Sequence, residues 1–323
     1  MTSLASLPAL SVVICTRERP DDLEFCLRAL RQQTLSGFEV VVVDNAPRTD
    51  KTQRVAAAHD IRRVVELRPG LDRARNAGIE ATRAGIVAFT DDDAVPEDDW
   101  AARIVRTFED PTVGGVAGPM LPLELETPAQ RTFEQYLARM TRSRPRDVRR
   151  VYDASFPAAA AGQVGAGANM AFRRELLDAV GGFDEAFDAG MPTRSGGDTD
   201  MFARAIEGGW QLVYEPSIRV RHRHRRTDAE LRRQLFGYGV GVFALWTKRL
   251  QQGDRYAFRL AAGTLWWHLA HRLPRALLRT DGEVPPSLVV AEMLGSVWGP
   301  MAYWQSRRLA GAPAAQARAL SDA

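Results

Sequence analysis

Cysteine is nearly missing from this 323-residue chain: Cys15 and Cys26 are the two copies. That is too few for a disulfide scaffold or a cysteine-built zinc site. Five histidines leave little room for a His-rich metal cage. Lysine is also scarce, with Lys51 and Lys248 set against 41 arginines. Neither lysine sits in a motif, so mechanisms that need a motif lysine are excluded; a GC-rich coding bias is the bland account of the arginine excess. Apolar residues at 45% and charged residues at 26% are ordinary for a globular protein and exclude a disordered chain, a collagen and a polytopic membrane protein.

The net charge of +3 hides an asymmetry. Residues 221–323 carry 16 Arg and Lys against 7 Asp and Glu, while residues 1–220 carry 27 against 33. A basic tail on an acidic body suggests contact with a polyanion, either nucleic acid or an anionic membrane surface. No Lys or Arg precedes Arg17, so the apolar start does not read as a signal peptide and the body is expected in the cytoplasm.

Apolar runs and helical spacings alternate over the first 118 residues. Strands are expected at Leu10–Cys15, Phe38–Val43, Arg62–Leu67, Ile86–Thr90 and Val113–Gly118. Between them, Leu23, Cys26, Leu27 and Leu30 share one helix face, as do Leu71, Ala74, Gly78 and Ile79. Strands without polar alternation, separated by helices, predict an α/β fold with a mostly parallel, Rossmann-like sheet covered on both faces. Residues 119–160, with prolines and Arg139, Arg142, Arg144, Arg146, Arg149 and Arg150, read as a solvated connecting segment. Strand and helix signals resume from Gln163, and Thr227-x-x-Glu230 is a capping box that opens a helical tail. Five of the seven tryptophans lie beyond residue 220.

Ligands of an open parallel sheet bind beyond the carboxyl ends of its strands. Thr16-Arg17-Glu18-Arg19-Pro20 follows the first strand, Asp44-Asn45 the second and Asp91-Asp92-Asp93 the fourth. The first turn contains no glycine, which excludes the dinucleotide fingerprint there, and a P-loop is missing too. Three adjacent carboxylates repel one another unless a cation neutralises them. In an extended backbone Asp91 and Asp93 point one way and Asp92 the other, which leaves two hard oxygen ligands suited to Mg2+ or Mn2+. The alternative is an acidic helix start, since Glu97, Asp98 and Asp99 follow. In Gly196-Gly197-Asp198-Thr199-Asp200, Asp198 is either an N-cap or a general base. If residues 219–226 are extended, His222 and His224 share a face toward the acidic edge, and Arg221, Arg223 and Arg225 the other.

In order along the chain, these motifs and two more, Gly70-Leu-Asp-Arg-Ala-Arg75-Asn76-x-Gly78 and Gly167-Ala-Asn169-Met170, resemble the family 2 glycosyltransferases. The match covers roughly residues 10–226. It implies a GT-A catalytic domain over 1–226, with a nucleotide-binding half at about 8–118 and an acceptor half at about 160–226. Residues 227–323 form a helical C-terminal region. Thr16, Arg17 and Asp44 would hold the nucleoside, and Arg75 would lie near base or pyrophosphate. Asp91, Asp92 and Asp93 would serve the donor, with Asp93 and Asp91 on the metal. Asn169 and Asp200 would face sugar or acceptor. Asp198 aligns with the catalytic aspartate of a Glu-Asp pair. His222, six positions after Pro216, matches a metal-binding histidine, and His224 is the weaker choice. Gly197 replaces the glutamate of that pair.

The resemblance implies an inverting transfer from a nucleotide sugar, UDP-linked, to a hydroxyl of a glycan or lipid-linked acceptor, with Mn2+ or Mg2+ shielding the leaving diphosphate. A sugar-nucleotide pyrophosphorylase would carry a Gly-rich loop with a lysine after the first strand. A non-catalytic nucleotide-sugar-binding paralogue would not need Asp91, Asp93 and Asp198 together. Nucleic-acid binding is suggested only by the basic tail. Leu288–Trp304, interrupted by Glu292, Gly295, Gly299 and Pro300, is marginal as a membrane span. With Trp and Tyr at its edges and Arg307 and Arg308 beyond, it suits a peripheral position on the inner face of the cell membrane; the alternative is that these helices pack on the catalytic domain or on a second subunit.

Overall fold

A computed structural model describes residues 7–141, 144–278 and 284–311; Arg142 and the end of the basic tail lie outside them. The expected alternation is present: β1 (Ser11–Thr16), α1 (Pro20–Arg31), β2 (Glu39–Asn45), α2 (Lys51–Ala58), β3 (Arg62–Glu66), α3 (Leu71–Ala81) and β4 (Ile86–Asp91). Next come β5 (Ala94–Pro96), α4 (Trp100–Thr107), β6 (Val113–Ala117), β7 (Met120–Pro122), α5 (Pro128–Met140) and β8 (Arg150–Tyr152). Then follow β9 (Asn169–Arg173), α6 (Arg174–Val180), α7 (Gly197–Glu207), β10 (Gln211–Tyr214) and β11 (Val220–His222). The tail is helical: α8 (Asp228–Gln251), α9 (Arg255–Trp267), α10 (Leu273–Leu277) and α11 (Pro286–Ala310), with a π-helical turn at His268–Arg272 joining α9 to α10.

The large sheet runs β3-β2-β1-β4-β9-β6-β10-β8. Its first four strands are parallel, whereas β9 is antiparallel to both β4 and β6. Successive residues of β1 serve opposite faces. Val13 joins Ala74 and Ile79 of α3 and Phe202 of α7. Val12 and Ile14 join Leu23 and Leu27 of α1 and Trp100 and Ile104 of α4. Pro20 opens α1, acids Asp21 and Asp22 occupy its first turn and Arg28 and Arg31 its last, all favourable to the helix dipole. Gly78 lets α3 settle onto the sheet, because a Cβ there would lie 3.1 Å from Val13 Cγ2 and 3.2 Å from Val43 Cγ2.

The segment expected to be a solvated connection is structured. Phe133, Tyr136, Leu137 and Met140 stand at helical spacing on α5 and pack with Leu231, Leu235 and Leu288 of the tail. Thr127 and Gln130 form a capping box at its start. The surrounding arginines hid that stripe, because they dominate the local charge. Ala158, Ala159 and Ala161 are also buried.

The tail is fastened to the body rather than appended to it. Trp246 Nε1 donates to Ala159 O at 2.9 Å. Lys248 Nζ donates to Asp200 Oδ1 at 2.5 Å and Asp184 Oδ2 at 2.8 Å. Glycines let α8 and α11 touch backbone to backbone: a Cβ on Gly295 would lie 3.0 Å from Val240 N, and one on Gly299 2.7 Å from Val240 O. Among the described residues, no helix is long and apolar enough to cross a membrane.

Candidate active site

Sheet register brings three strand ends together. Thr16 pairs with Asp44, and Cys15 with Asp91, so the polar groups after β1, β2 and β4 share one edge. The chain turns at Asp92 and Asp93 instead of staying extended. Asp92 faces inward: Oδ2 accepts from Thr16 Oγ1 at 2.7 Å and Oδ1 from Arg19 NH1 at 2.7 Å. Arg19 NH2 also donates to Asp93 Oδ2 at 2.5 Å. Asp92 is therefore a buried anchor of the turn and does not border the cleft. Arg19 was not singled out from sequence, although it lies in the polar run after β1.

A second, three-stranded sheet, β5-β11-β7, supplies the third member of the cluster. It pairs His222 with Ala94, the residue after Asp93. His222 Nε2 lies 3.0 Å from Asp93 Oδ1 and 3.8 Å from Asp91 Oδ2. One ligand atom from each of Asp91, Asp93 and His222 falls within 4.8 Å of the others. Burial opposes ionisation of Asp93, but His222 and Arg19 outweigh it and hold the carboxyl well below the usual range. Burial also opposes an imidazolium at His222, yet Asp93 and then Asp91 raise its pKa. Two carboxylates and an imidazole around one point are a donor set that fits Mn2+ or Mg2+.

His224 turns elsewhere. Its Nε2 lies 3.2 Å from Glu134 Oε2, and its ring meets Phe133 edge-on with centroids 4.8 Å apart. The chain leaves β11 at His222, so the two-residue period that would have aligned both histidines ends there.

Asp198 stands at the start of α7 and lines a cleft of about 1450 Å³ with Asp91, Arg75 and His222. Its Oδ2 accepts from Gly167 N at 2.7 Å and its Oδ1 from Thr199 N at 2.6 Å. Burial and the neighbouring Asp188 raise its pKa above the ordinary aspartate value, with Arg75 and the two backbone donors opposing. Raised basicity at a cleft wall suits proton acceptance. Arg75 is 4% exposed, and its NH1 donates to both Asp72 Oδ1 and Asp188 Oδ2 at 2.8 Å. It is thus held among carboxylates beside Asp198.

Two expected acceptor residues are committed to structure. Asn169 is fully buried; its Oδ1 accepts from Trp100 Nε1 at 2.9 Å, and its Nδ2 donates to Pro119 O and Ile218 O. Asp200 is 1% exposed and binds Lys248 and Arg204. Neither borders the cleft. Asp44 Oδ2 takes both bonds from Arg63 at 2.9 and 2.8 Å, whereas its buried Oδ1 has no partner. Arg17 has no side-chain partner among the described residues. Arg225 lines the cleft, half-exposed, with its nearest carboxylate oxygen, on Asp93, 3.9 Å away. The sequence marked Arg225 only as one of a run. In the structure Arg221, Arg223 and Arg226 each have a closer acidic partner, on Glu97, Asp22 and Glu124.

A family model described as glycosyl transferase family 2 matches residues 11–181. Glycosyltransferase AglE of Haloferax volcanii is 27% identical over 312 residues, covering 92% of this chain and 93% of that protein. A glucosyl-dolichyl phosphate glucuronosyltransferase of the same organism is 26% identical over 238 residues, 66% of this chain and 68% of the relative. Among solved structures, the mannosyltransferase PcManGT of Pyrobaculum calidifontis, in complex with GDP-Man and Mn2+, superposes with a TM-score of 0.56 at 21% identity, covering 98% of this chain and 79% of its own. The architecture is the expected GT-A fold with C-terminal helices.

Proposed function

Because the chain belongs to glycosyl transferase family 2, we propose that it moves a sugar from a UDP-linked donor to an acceptor hydroxyl, in one inverting displacement assisted by a divalent cation. One observation carries this reading: Asp91 and His222, whose ligand atoms converge with that of Asp93, border a single cleft with the raised-pKa carboxyl of Asp198. Asp91, Asp93 and His222 would hold Mn2+ or Mg2+, which when bound supplies positive charge to the leaving diphosphate. Arg225, whose nearest carboxylate oxygen is 3.9 Å away on Asp93, adds charge for the same group. Asp198 removes the acceptor proton as the hydroxyl attacks, its carboxylate held by Gly167 N and Thr199 N. Asp44 Oδ1, buried and unpartnered, suits an imide N–H such as uracil presents; guanine N1–H offers the same bond, so both bases belong in the test.

The acceptor side of the cleft favours a lipid-linked phosphate. Phe243, Trp246, Leu260 and Trp267 give it an apolar wall, and Arg144 and Arg233 add cations. Trp266, Val297, Trp298, Met301 and Trp304 are exposed on the same helical tail and would rest on an anionic membrane surface at the cytoplasmic face. The name of the relative that acts on glucosyl-dolichyl phosphate supports the same acceptor class. The deciding experiment is a panel of UDP- and GDP-sugars with Mn2+, with and without polyprenyl phosphate, read as released nucleoside diphosphate and product anomer. No release with any donor would favour the non-catalytic paralogue, for which the missing carboxylate at Gly197 speaks.

A further inference from the structure

Gly197, immediately before Asp198, has its side-chain space taken by another residue. A Cβ there would lie 2.5 Å from Asp72 Oδ1 and closer still to Oδ2. The intruding carboxyl comes from the first turn of α3, 125 positions away in the chain. Asp72 is 0% exposed. Its Oδ1 accepts from Arg75 NH1 at 2.8 Å, but its Oδ2 is buried with no hydrogen-bond partner. An unsatisfied buried polar atom costs about 1–3 kcal/mol, so packing alone is a poor reason for a carboxyl here. Leucine or alanine would fill a helix position at less cost.

The surroundings suggest the reason. Arg75 NH1 is shared between Asp72 and Asp188. A Cβ on Gly167 would lie 2.5 Å from Arg75 NH2 and 3.3 Å from Asp198 Oδ2, so Arg75 and Asp198 face each other across another position without a side chain. Asp72 is thus bonded to Arg75 in the space left by Gly197, and Arg75 lies near Asp198 across Gly167. Asp72 is fully buried and is not part of the cleft lining.

We propose that Asp72 is the positioning carboxyl of the candidate base, delivered from α3 into the space that a side chain at position 197 would occupy, and acting on Asp198 through Arg75. The proposal rests on reading Asp198 as the base. By binding Arg75 NH1, Asp72 holds that guanidinium away from Asp198 and so keeps Asp198 basic; burial pushes the pKa of Asp72 itself well up, with Arg75 opposing. It also predicts that positions 72 and 197 are interchangeable as the source of the carboxyl.

The test is a reciprocal swap in the full chain: Asp72→Ala, Gly197→Glu and the double variant, assayed for kcat, donor KM, the pH profile of kcat, melting temperature and Mn2+-dependent UDP binding. Asp72→Ala is expected to lower kcat at least ~10-fold with donor KM within about threefold, and to move the acid limb of the profile down by about half a pH unit or more. Gly197→Glu alone is expected to be inactive, since the new side chain meets the Asp72 carboxyl. The double variant is expected to regain at least ~10-fold over the worse single variant. Wild-type kcat and an unmoved acid limb in Asp72→Ala would overturn the proposal. So would a double variant that stays at the level of the worse single, whether for want of folding or of turnover. Asp198→Asn separates the two claims: if it is inactive while Asp72→Ala behaves as wild type, only the role of Asp72 fails. If Asp198→Asn runs near wild type, the base assignment itself fails.

Discussion

Replacing Asp198 by asparagine tests the chemistry most directly, and the structure shows that the change has two separable effects. Asparagine keeps the size of the side chain but cannot accept a proton at neutral pH. Loss of a general base lowers turnover by ~10²–10⁴-fold. The second effect comes from hydrogen bonding. Each carboxylate oxygen accepts a backbone N–H, from Gly167 at 2.7 Å and from Thr199 at 2.6 Å. Asparagine has one oxygen and one NH2 group, so in either orientation an amide donor meets a backbone donor. The N–H left without an acceptor costs about 1–3 kcal/mol, a melting-temperature loss of several degrees at most. Donor affinity should persist, because the Asp91, Asp93 and His222 cluster is untouched. The assay is steady-state release of nucleoside diphosphate at saturating donor, paired with a thermal melt and UDP titration. A variant that melts a few degrees lower, binds UDP normally and turns over at least ~100-fold more slowly is the expected outcome. Turnover within a few-fold of wild type would remove Asp198 from proton transfer, whatever the melt shows. In the wild type, burial and Asp188 place the Asp198 pKa above the ordinary value, so kcat should hold at higher pH and fall as pH drops through that raised pKa.

Further outcomes follow from the same geometry. His222→Ala should weaken Mn2+-dependent UDP binding more than tenfold, roughly the effect of losing one ligand shell contact; His224→Ala should instead lower thermal stability, since that ring packs on Phe133, and the reverse ranking in UDP titration would move the ligand to His224. Lys248→Met leaves Asp200 and Asp184 without their shared cation and should cost about 3–5 kcal/mol in urea unfolding, so a loss below about 1 kcal/mol would refute the view that this pair fastens α8. Burial and Arg272 hold His268 down to about 4 from an unfolded value near 6.5. Its contribution is therefore present above the unfolded value and lost as pH falls toward about 4, and His268→Leu should flatten that slope in thermal melts. The full chain should float with anionic liposomes at low salt, and changing Trp266, Trp298 and Trp304 together to serine should leave it in the soluble fraction. Equal behaviour of both would argue against an interfacial tail.

The order of strands and helices through β6, the short β5 apart, was legible because each carries a local period: buried strands as apolar runs, α1 and α3 as stripes at helical spacing. The acids after β2 and β4 were legible too, since the carboxyl ends of parallel strands mark the ligand edge before any coordinates are known. Periodicity failed where its premise of regular backbone failed. Asp92 and Asp93 lie in a turn rather than a strand, yet Asp91 and Asp93 still converge while Asp92 points elsewhere; His224 lies past the end of β11, so alternation could not place its side chain. The helix α5 was hidden because arginines flank its apolar stripe, and the stripe acquires meaning only when α8, α10 and α11 arrive to cover it.

The assignments that tertiary structure alone decided concern side chains far apart in sequence. Asn169 and Asp200 carry polar groups fit for substrate, but Trp100 and Lys248 take them first. A sequence shows a group's capacity for hydrogen bonding and is silent on which partner fills it. Arg19, Asp72 and Arg225 acquire their places through the turn beside Asp93, the glycine at 197 and the edge of β11, none of which leaves a periodic trace. Local patterns determine elements because hydrophobic burial follows the repeat of the backbone. The site depends instead on contacts between elements: Asp200 lies in the core bonded to Lys248 of α8 as well as to Arg204 of its own helix.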